Sequence, residues 1–210
     1  MTTLADPAQA DRTLSARLKQ ETHAIHDALD SRISALSPFL DRAHYARFLR
    51  VQLRFQTATA PLYERDDLQQ RFPGLLERSR VDLIEADCRD LGIAEADIEA
   101  DRAAGRAVAI EDGDAVIGWL YTNEGSNLGA AFLFKRARKE LDLSADFGAR
   151  HLAGHPDGRG LHWKRFKAQL DELGLNDAQQ DQAVRGARAA FAFVRESVEA
   201  VMAGGLACEW

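Results

Sequence analysis

The sequence is poor in cysteine and has no long apolar run. Its two cysteines, Cys88 and Cys208, lie far apart in the 210-residue chain. Two isolated thiols do not form a disulfide scaffold, a zinc ribbon or a C-x-x-C redox motif, and they suit a reducing compartment. No apolar run approaches the ~20 residues that span a bilayer. Residues 1–13, with Asp6 and Asp11, lack the basic start and apolar middle of a signal peptide. We therefore expect a soluble, cytoplasmic protein with no membrane partner.

The chain also lacks an excess of basic residues. It has 27 lysines and arginines against 33 aspartates and glutamates, which gives a net charge of −6. Nucleic-acid binding needs a concentrated basic surface that neutralises phosphates. The sequence therefore predicts no nucleic-acid partner.

Strand-like alternation is essentially absent, and apolar residues instead recur at spacings of three and four, as on amphipathic helices. Thr13, Asp41 and Asn176 are typical helix starts, and Gly92 and Gly174 are typical helix ends. The pattern predicts six helices: 13–34, 42–63, 75–91, 113–141, 160–173 and 176–203.

The predicted helices indicate an all-α protein with one domain over residues 1–210, because this length supports a single substantial core. Residues 1–12 are expected to be flexible and residues 204–210 to form a tail. The Ala-, Glu- and Asp-rich stretch 93–112 is predicted to be an irregular or short helical connection.

The first predicted helix places a histidine and a lysine on one face. His26 and Lys19 are seven residues apart, which returns to nearly the same face about 10 Å along the axis. A neutral imidazole can bind iron, and an ammonium can meet carboxylates at the edge of a flat macrocycle. His23, one turn earlier, competes for the first role, and either histidine could simply be a partly buried helix residue.

The predicted helix over 113–141 contains three interior glycines, although each costs ~1 kcal/mol relative to alanine. Gly118, Gly125 and Gly129 fall near one face and strip it of side chains. One explanation is a tight crossing with another helix. The other is that the bare face lies against a planar ligand, with backbone N–H groups and the Ser126 hydroxyl close to a diatomic molecule on its iron.

Three segments together resemble the haem oxygenases of Gram-negative bacteria, most closely the iron-acquisition type of pathogenic Neisseria and Pseudomonas. They are E-T-H-A-I-H-D-A-L-D, G-W-L-Y-T-N-E-G-S-N-L-G-A-A-F-L-F-K and G-A-R-H-L-A-G-H-P-D-G-R-G-L-H-W-K. The resemblance covers about residues 14–200 and implies a single compact helical domain. In such a domain haem b, both substrate and cofactor, lies between the proximal first helix and the glycine-bearing distal helix.

The resemblance also implies residue roles. His26 matches the proximal iron ligand, and His23 does not. The other matches are propionate contacts at Lys19 and Tyr121, the distal helix over the oxygen site at Gly125, Ser126 and Gly129, an aromatic neighbour of the macrocycle at Phe191, and a distal polar network at Gln52, Arg80 and Trp163. Simpler alternatives are an Arg80–Glu77 ion pair and plain core positions for Phe191 and Trp163. Animal haem oxygenases have an aspartate where this chain has Ser126.

The implied reaction is oxidative cleavage of haem at the α-meso carbon by O2, which gives biliverdin, carbon monoxide and ferrous iron. Some Pseudomonas relatives seat haem differently and lack the Lys19–Tyr121 pair, so its presence favours the α isomer. The chain has no flavin or nicotinamide fingerprint, so a separate ferredoxin or flavin reductase must supply electrons. A non-catalytic haem carrier or sensor is the alternative function. A metal-carboxylate bundle would need Glu-x-x-His pairs, which neither His151 nor His155 supplies.

Overall fold

A computed structural model describes residues 13–153 and 158–204. Residues 1–12, His155 and residues 205–210, which include Cys208, lie outside the described residues. Within the described residues, the elements are helices and turns, with two isolated β-bridges at Ser144. The prediction of an all-α fold is confirmed.

The described chain contains eight α-helices, and the last continues as a π-helical turn over Glu199–Ala203. The helices are α1 (Leu14–Ala35), α2 (Arg42–Glu64), α3 (Asp66–Arg71), α4 (Val81–Asp90), α5 (Glu95–Arg106), α6 (Ala115–Leu141), α7 (Arg159–Asp171) and α8 (Asp177–Val198). None of them has the length and apolar composition needed to cross a membrane.

The predicted helix starts are confirmed by their capping hydrogen bonds. The side chain of Thr13 accepts from a backbone N–H of α1, and that of Asp41 accepts from a backbone N–H of α2 at 2.8 Å. Asn176 and Gln179 form a reciprocal capping box at the start of α8. Gly174, just after α7, has φ +64°, a left-handed conformation that side chains rarely adopt.

The predicted helix over 75–91 is interrupted. Leu76–Arg78 forms a single 3-10 turn, Ser79 is extended, and α4 begins only at Val81. The break lets two neighbouring arginines bind different partners. Arg78 donates to the carboxylate of Glu124 in α6, whereas Arg80 donates to the backbone carbonyl oxygen of His151. The short helix α3 is a further difference, because one and a half turns give too little periodicity to detect.

Most of the connection predicted at 93–112 is the twelve-residue helix α5. Its inner face is held to α2 by charge as much as by apolar contact. The fully buried Asp101 accepts from Nε of Arg50 and from Nε of Arg54, both at 2.6 Å. A Cβ at Gly105 would lie 2.6 Å from the Arg54 carbonyl oxygen, so the two backbones approach closely. Apolar periodicity misses such a helix because buried charges and glycine replace the usual stripe.

Helix α8 is the element on which the candidate site is built. Helices α1 and α6 each pack along α8 and make little contact with one another. The α6–α8 interface is a seam of small residues: a Cβ at Gly118 would overlap the backbone of Ala183 and Ala187, and one at Gly186 would overlap the backbone of Ala115. No side chain fits between these backbones, so the seam fixes α6 closely against α8.

Helix α1 is attached to α8 in a different way. On its inner face it buries Leu18 and Leu29. Along its exposed edge run three ion pairs with α8 and the π-helical turn: Arg17–Asp181, Glu21–Arg188 and Arg32–Glu199. The outer edge of α1 is thus held to α8 by exposed ion pairs, whereas α6 is held to α8 by a buried seam of small residues.

Candidate functional site

His26 lies at the surface of α1, where it meets an aromatic residue of α8. Its side chain is 53% exposed, and its ring meets Phe191 edge-on, with 5.7 Å between the ring centroids. Nδ1 is 3.5 Å from Oδ2 of Asp30, and no hydrogen bond of the described residues involves Nε2. A carboxylate near one ring nitrogen and a free second nitrogen is the arrangement of a metal-binding imidazole.

His23 differs from His26 in its surroundings. Its Nδ1 is 3.4 Å from Oδ1 of Asp27, and its side chain is 70% exposed. Within the described part of the chain it has no aromatic neighbour. Lys19 is also exposed, and none of the ion pairs of the described residues involves it. The structure therefore distinguishes the two histidines by the contact of His26 with Phe191.

The three glycines of α6 serve two different purposes. Gly118 belongs to the seam with α8, which is the helix-crossing explanation. A Cβ at Gly125 would meet only Cη2 of Trp163, at 3.6 Å, and one at Gly129 would have nothing within 4 Å. Helix packing thus explains Gly118, whereas Gly129 has no protein neighbour and Gly125 has only the edge of Trp163 beside it.

Exposed apolar side chains continue this bare surface of α6. Leu128 and Phe132 are 44% and 66% exposed. At 100° per residue they lie about 60° and 20° around the helix axis from Gly125. Glycine backbone next to unburied apolar side chains forms a surface that suits a large, flat, apolar ligand.

A second aromatic group flanks Gly125. Tyr121 and Trp163 pack with ring centroids 5.5 Å apart, so α7 contributes to this side of the site. Burial raises the pKa of Tyr121 to about 12, so its hydroxyl stays protonated. Within the described residues that hydroxyl makes no hydrogen bond, which leaves it available to a ligand.

A buried polar network joins α2 to α6 immediately before Gly125. Nδ2 of Asn123 donates to Oγ1 of Thr59 and to the hydroxyl of Tyr63, both at 2.8 Å. The amide groups of Asn123 and Gln56 also hydrogen-bond to each other. These bonds fix the orientation of α6 at the site. Sequence patterns do not reveal this network, because polar residues in a helix are usually exposed.

Glu124 extends the network with a buried charge. It is 2% exposed and accepts from the hydroxyl of Tyr63 at 2.8 Å and from Nη1 of Arg78 at 2.9 Å. Burial raises the pKa of Tyr63 well above its ordinary value, and the Glu124 carboxylate raises it further. Tyr63 is therefore a permanent hydrogen-bond donor to Glu124.

Arg80 is enclosed and forms no ion pair with a carboxylate of the described residues. Its Nη1 donates to the carbonyl oxygen of His151 at 3.2 Å, and its Nε is buried without a hydrogen bond. It does not pair with Glu77. His151 is itself fixed by Asp87, whose Oδ2 lies 2.8 Å from Nδ1 of His151 and accepts its backbone N–H at 3.0 Å.

Two further predicted site residues stand apart from the network. Gln52 is half-buried and makes no hydrogen bond within the described residues, because Gln56, one turn further along α2, is the residue opposite Asn123. The Ser126 hydroxyl donates to the carbonyl oxygen of Asn123 at 2.7 Å. Gln52 therefore lies outside the Asn123–Gln56 hydrogen bonds, and the Ser126 hydroxyl donates to the helix backbone.

The described residues contain no cluster of three or more His, Cys, Asp or Glu side chains that could hold a metal ion. The geometry instead groups His26 with Phe191, and Gly125 with Tyr121 and Trp163. Any iron here would come with a ligand of its own and would take a single imidazole from the protein.

Comparison with known proteins gives one consistent result. A family model described as heme oxygenase matches residues 12–200. The chain is 42% identical over 193 residues to heme oxygenase PigA of Pseudomonas aeruginosa, covering 91% of this chain and 94% of that protein.

Solved structures show the same similarity. The NO- and CO-bound heme oxygenase of Neisseria meningitidis matches with a TM-score of 0.82 at 38% identity, covering 95% of this chain and 96% of that one. The heme complex of a heme oxygenase from Synechocystis has the same fold, with a TM-score of 0.67 at 16% identity over 93% of this chain and 96% of that one.

Proposed function

Because the chain belongs to the haem oxygenase family, we propose a reaction and a set of residue roles for it. The protein is an enzyme that degrades haem. We propose that it opens the macrocycle at the α-meso carbon and releases biliverdin, carbon monoxide and ferrous iron. The reaction consumes O2 and electrons from a separate ferredoxin or flavin reductase, since this chain has no fingerprint for a redox cofactor of its own. Such a donor fits a cytoplasmic location.

The bare apolar surface of α6 is the observation that supports this function best. Gly129 has open space where a side chain would stand, Gly125 has only Trp163 nearby, and Phe132 is left two-thirds exposed. A macrocycle laid against this surface would cover apolar side chains that water now reaches, at ~25 cal/mol per Å² buried. The residues present therefore fit haem, which supplies the iron and the oxidisable ring.

His26 is the proposed iron ligand. Its Nε2 lone pair is free, and the carboxylate of Asp30 near Nδ1 favours the tautomer that keeps Nε2 unprotonated. Phe191, edge-on to the imidazole, limits the rotation of the ring. His23 has neither the aromatic neighbour nor the match to the family's ligand position.

Lys19 and Tyr121 are the proposed anchors for the two propionates. The ammonium of Lys19 is exposed and lies two turns of α1 from His26. The Tyr121 hydroxyl remains a donor because burial raises its pKa to about 12. Together they would fix how the haem is turned in its plane, and that rotation selects the meso carbon that is attacked.

Above the ring, the glycine backbone and Ser126 would border the space where O2 reacts. The Asn123 and Glu124 hydrogen bonds hold this part of α6 against α2, and Trp163 lies beside Gly125. Gln52, Arg80 and Trp163 are the proposed distal polar network, in which Arg80, held by the backbone carbonyl of His151, would order water for proton delivery.

The test is titration of the purified protein with haem, followed by ascorbate and air. We expect saturation at one haem per chain, loss of the Soret band and appearance of a biliverdin band. A Soret band that persists through repeated additions of ascorbate would instead support a haem carrier or sensor. Chromatography of the extracted pigment against biliverdin standards identifies the isomer.

A further inference from the structure

The C-terminal part of α6 carries a patch of exposed basic side chains. Lys135, Arg138 and Lys139 are spaced i, i+3 and i+4, so they lie next to one another on the helix surface. None of the three forms an ion pair with a described residue, and the guanidinium carbon of Arg138 lies 5.9 Å from the centroid of the Phe134 ring. We call these three residues the basic patch.

The charges around the basic patch do not cancel it. Arg136, which lies between its members, occupies both carboxylate oxygens of Glu140 with hydrogen bonds of 3.0 and 2.9 Å. The eight residues that begin with Lys135 include four basic and two acidic side chains, an excess of positive charge in a chain whose net charge is −6. The helix dipole favours basic residues in the last turn. It accounts for Arg138 and Lys139 there, but not for Lys135.

The basic patch continues the bare apolar surface of α6 toward the end of the helix. At 100° and 1.5 Å per residue, Lys139 lies about 20° around the axis from Phe132 and about 10 Å further along it. Lys135 lies about 60° around the axis and about 4.5 Å along it from the same side chain. A protein seated on the basic patch would therefore adjoin the surface on which haem is proposed to lie.

We propose that the basic patch is the docking surface for an acidic iron–sulfur electron carrier of the ferredoxin class. This inference rests on the proposed function, which requires a separate electron donor. Electron carriers bind weakly through small interfaces, and complementary charge steers their encounter with the partner. Three exposed cations without ion pairs among the described residues provide this steering beside the surface where electrons are needed. A nucleic acid would need a larger basic surface.

The first experiment measures the affinity of the full-length protein, with and without haem, for an oxidised plant-type ferredoxin. We expect weak binding that falls as ionic strength rises from about 20 mM to about 300 mM, because salt screens exposed charges. The variant Lys135→Gln/Lys139→Gln should weaken the affinity at least about fivefold and flatten the salt dependence.

Arg185→Glu is the matched control, because it lowers the net charge by two, as the double variant does. Arg185 lies beside the first turn of α6, since a Cβ at Gly186 would overlap the backbone of Ala115. Lys139 is about 36 Å further along the axis of α6. The control should therefore bind the ferredoxin as the wild type does.

Turnover of the haem complex separates this proposal from the proposed function. With ascorbate as the reductant, the wild type, the double variant and the control should degrade haem at equal rates. With ferredoxin, kept reduced by its reductase and NADPH, only the double variant should be slower, again by at least about fivefold. No haem degradation with ascorbate would refute the proposed function, whatever the binding result.

Equal ferredoxin affinities and equal ferredoxin-dependent rates in all three proteins would overturn the docking surface. The proposal would also fail if the double variant lost binding to phosphatidylserine vesicles while its affinity for ferredoxin stayed unchanged, because the basic patch would then be a membrane contact.

Discussion

Replacing Gly129 with alanine or leucine is expected to stabilise the protein and weaken haem binding at the same time. Gly129 lies inside α6, and a Cβ there would have no atom within 4 Å. An interior helical glycine costs ~1 kcal/mol relative to alanine. Its replacement should therefore raise the free energy of unfolding by that amount, or the melting temperature by about 2–4 °C for a chain of this length.

The same side chain would occupy the space proposed for the macrocycle. A Cβ extends ~1.5 Å from the helix backbone, and overpacking of this kind typically costs ~1–3 kcal/mol. In haem affinity this is roughly a fivefold to 150-fold loss, with leucine at the upper end. Haem titration and melting curves, measured on the same preparations, give both quantities.

Gly118→Ala is the matched control on the same helix. Its Cβ would overlap the backbone of Ala183 and Ala187, so we expect it to lower the melting temperature. The two glycines should thus change stability in opposite directions. If Gly129→Leu were more stable but bound haem and produced bilin like the wild type, the bare face of α6 would not be the ligand surface.

Three further outcomes are expected. His26→Ala should abolish the ferric and ferrous-CO spectra of imidazole-bound haem, whereas His23→Ala should keep them; the reverse result would transfer the ligand role to His23. The wild-type product should be α-biliverdin, and Lys19→Ala/Tyr121→Phe should shift the product toward other isomers. The reason is that charged hydrogen bonds to the propionates, worth ~1.5–3 kcal/mol, determine how haem is turned in its plane. A mainly β or δ product from the wild type would refute the proposed propionate contacts. Burial lowers the pKa of His151 from its ordinary value of 6.5. The stability that the neutral imidazole contributes is therefore present above pH 6.5 and is lost as the pH falls through the folded-state pKa. Urea unfolding between about pH 7 and about pH 5 should show this fall in stability in the wild type and a flatter profile in His151→Gln.

The long helices could be predicted because apolar spacing and caps agree in them. Thr13, Asp41 and Asn176 each form the capping bond that their residue type suggests. Helix α5 was missed as a full helix because Ile98 is the one apolar side chain among its buried positions, beside Asp101 and Gly105. A pattern based on hydrophobicity does not register a helix held by buried charge.

The residue types of the candidate site could be predicted from the sequence, but the hydrogen bonds that connect them could not. The glycines and His26 stand out as residue types that a helix otherwise has little reason to contain. The functions of Gly118 and Gly129 separate only when α8 is in place, because one faces a backbone and the other faces open space. The buried bonds of Asn123 and Glu124 to Tyr63 join residues 60 and 61 positions apart, and local spacing contains no information about them.

The unequal attachment of the two helices to α8 has a consequence for how a ligand enters and leaves. Helix α6, which carries Gly129, is held to α8 by the buried seam of small residues, which neither water nor ions reach. Helix α1, which carries His26, is held at its outer edge by three exposed ion pairs, and physiological ions screen such pairs over about 8–10 Å. We therefore expect α1, rather than α6, to move away from α8 when the bulky product leaves. Because salt screens the ion pairs of α1, higher ionic strength should make this movement easier.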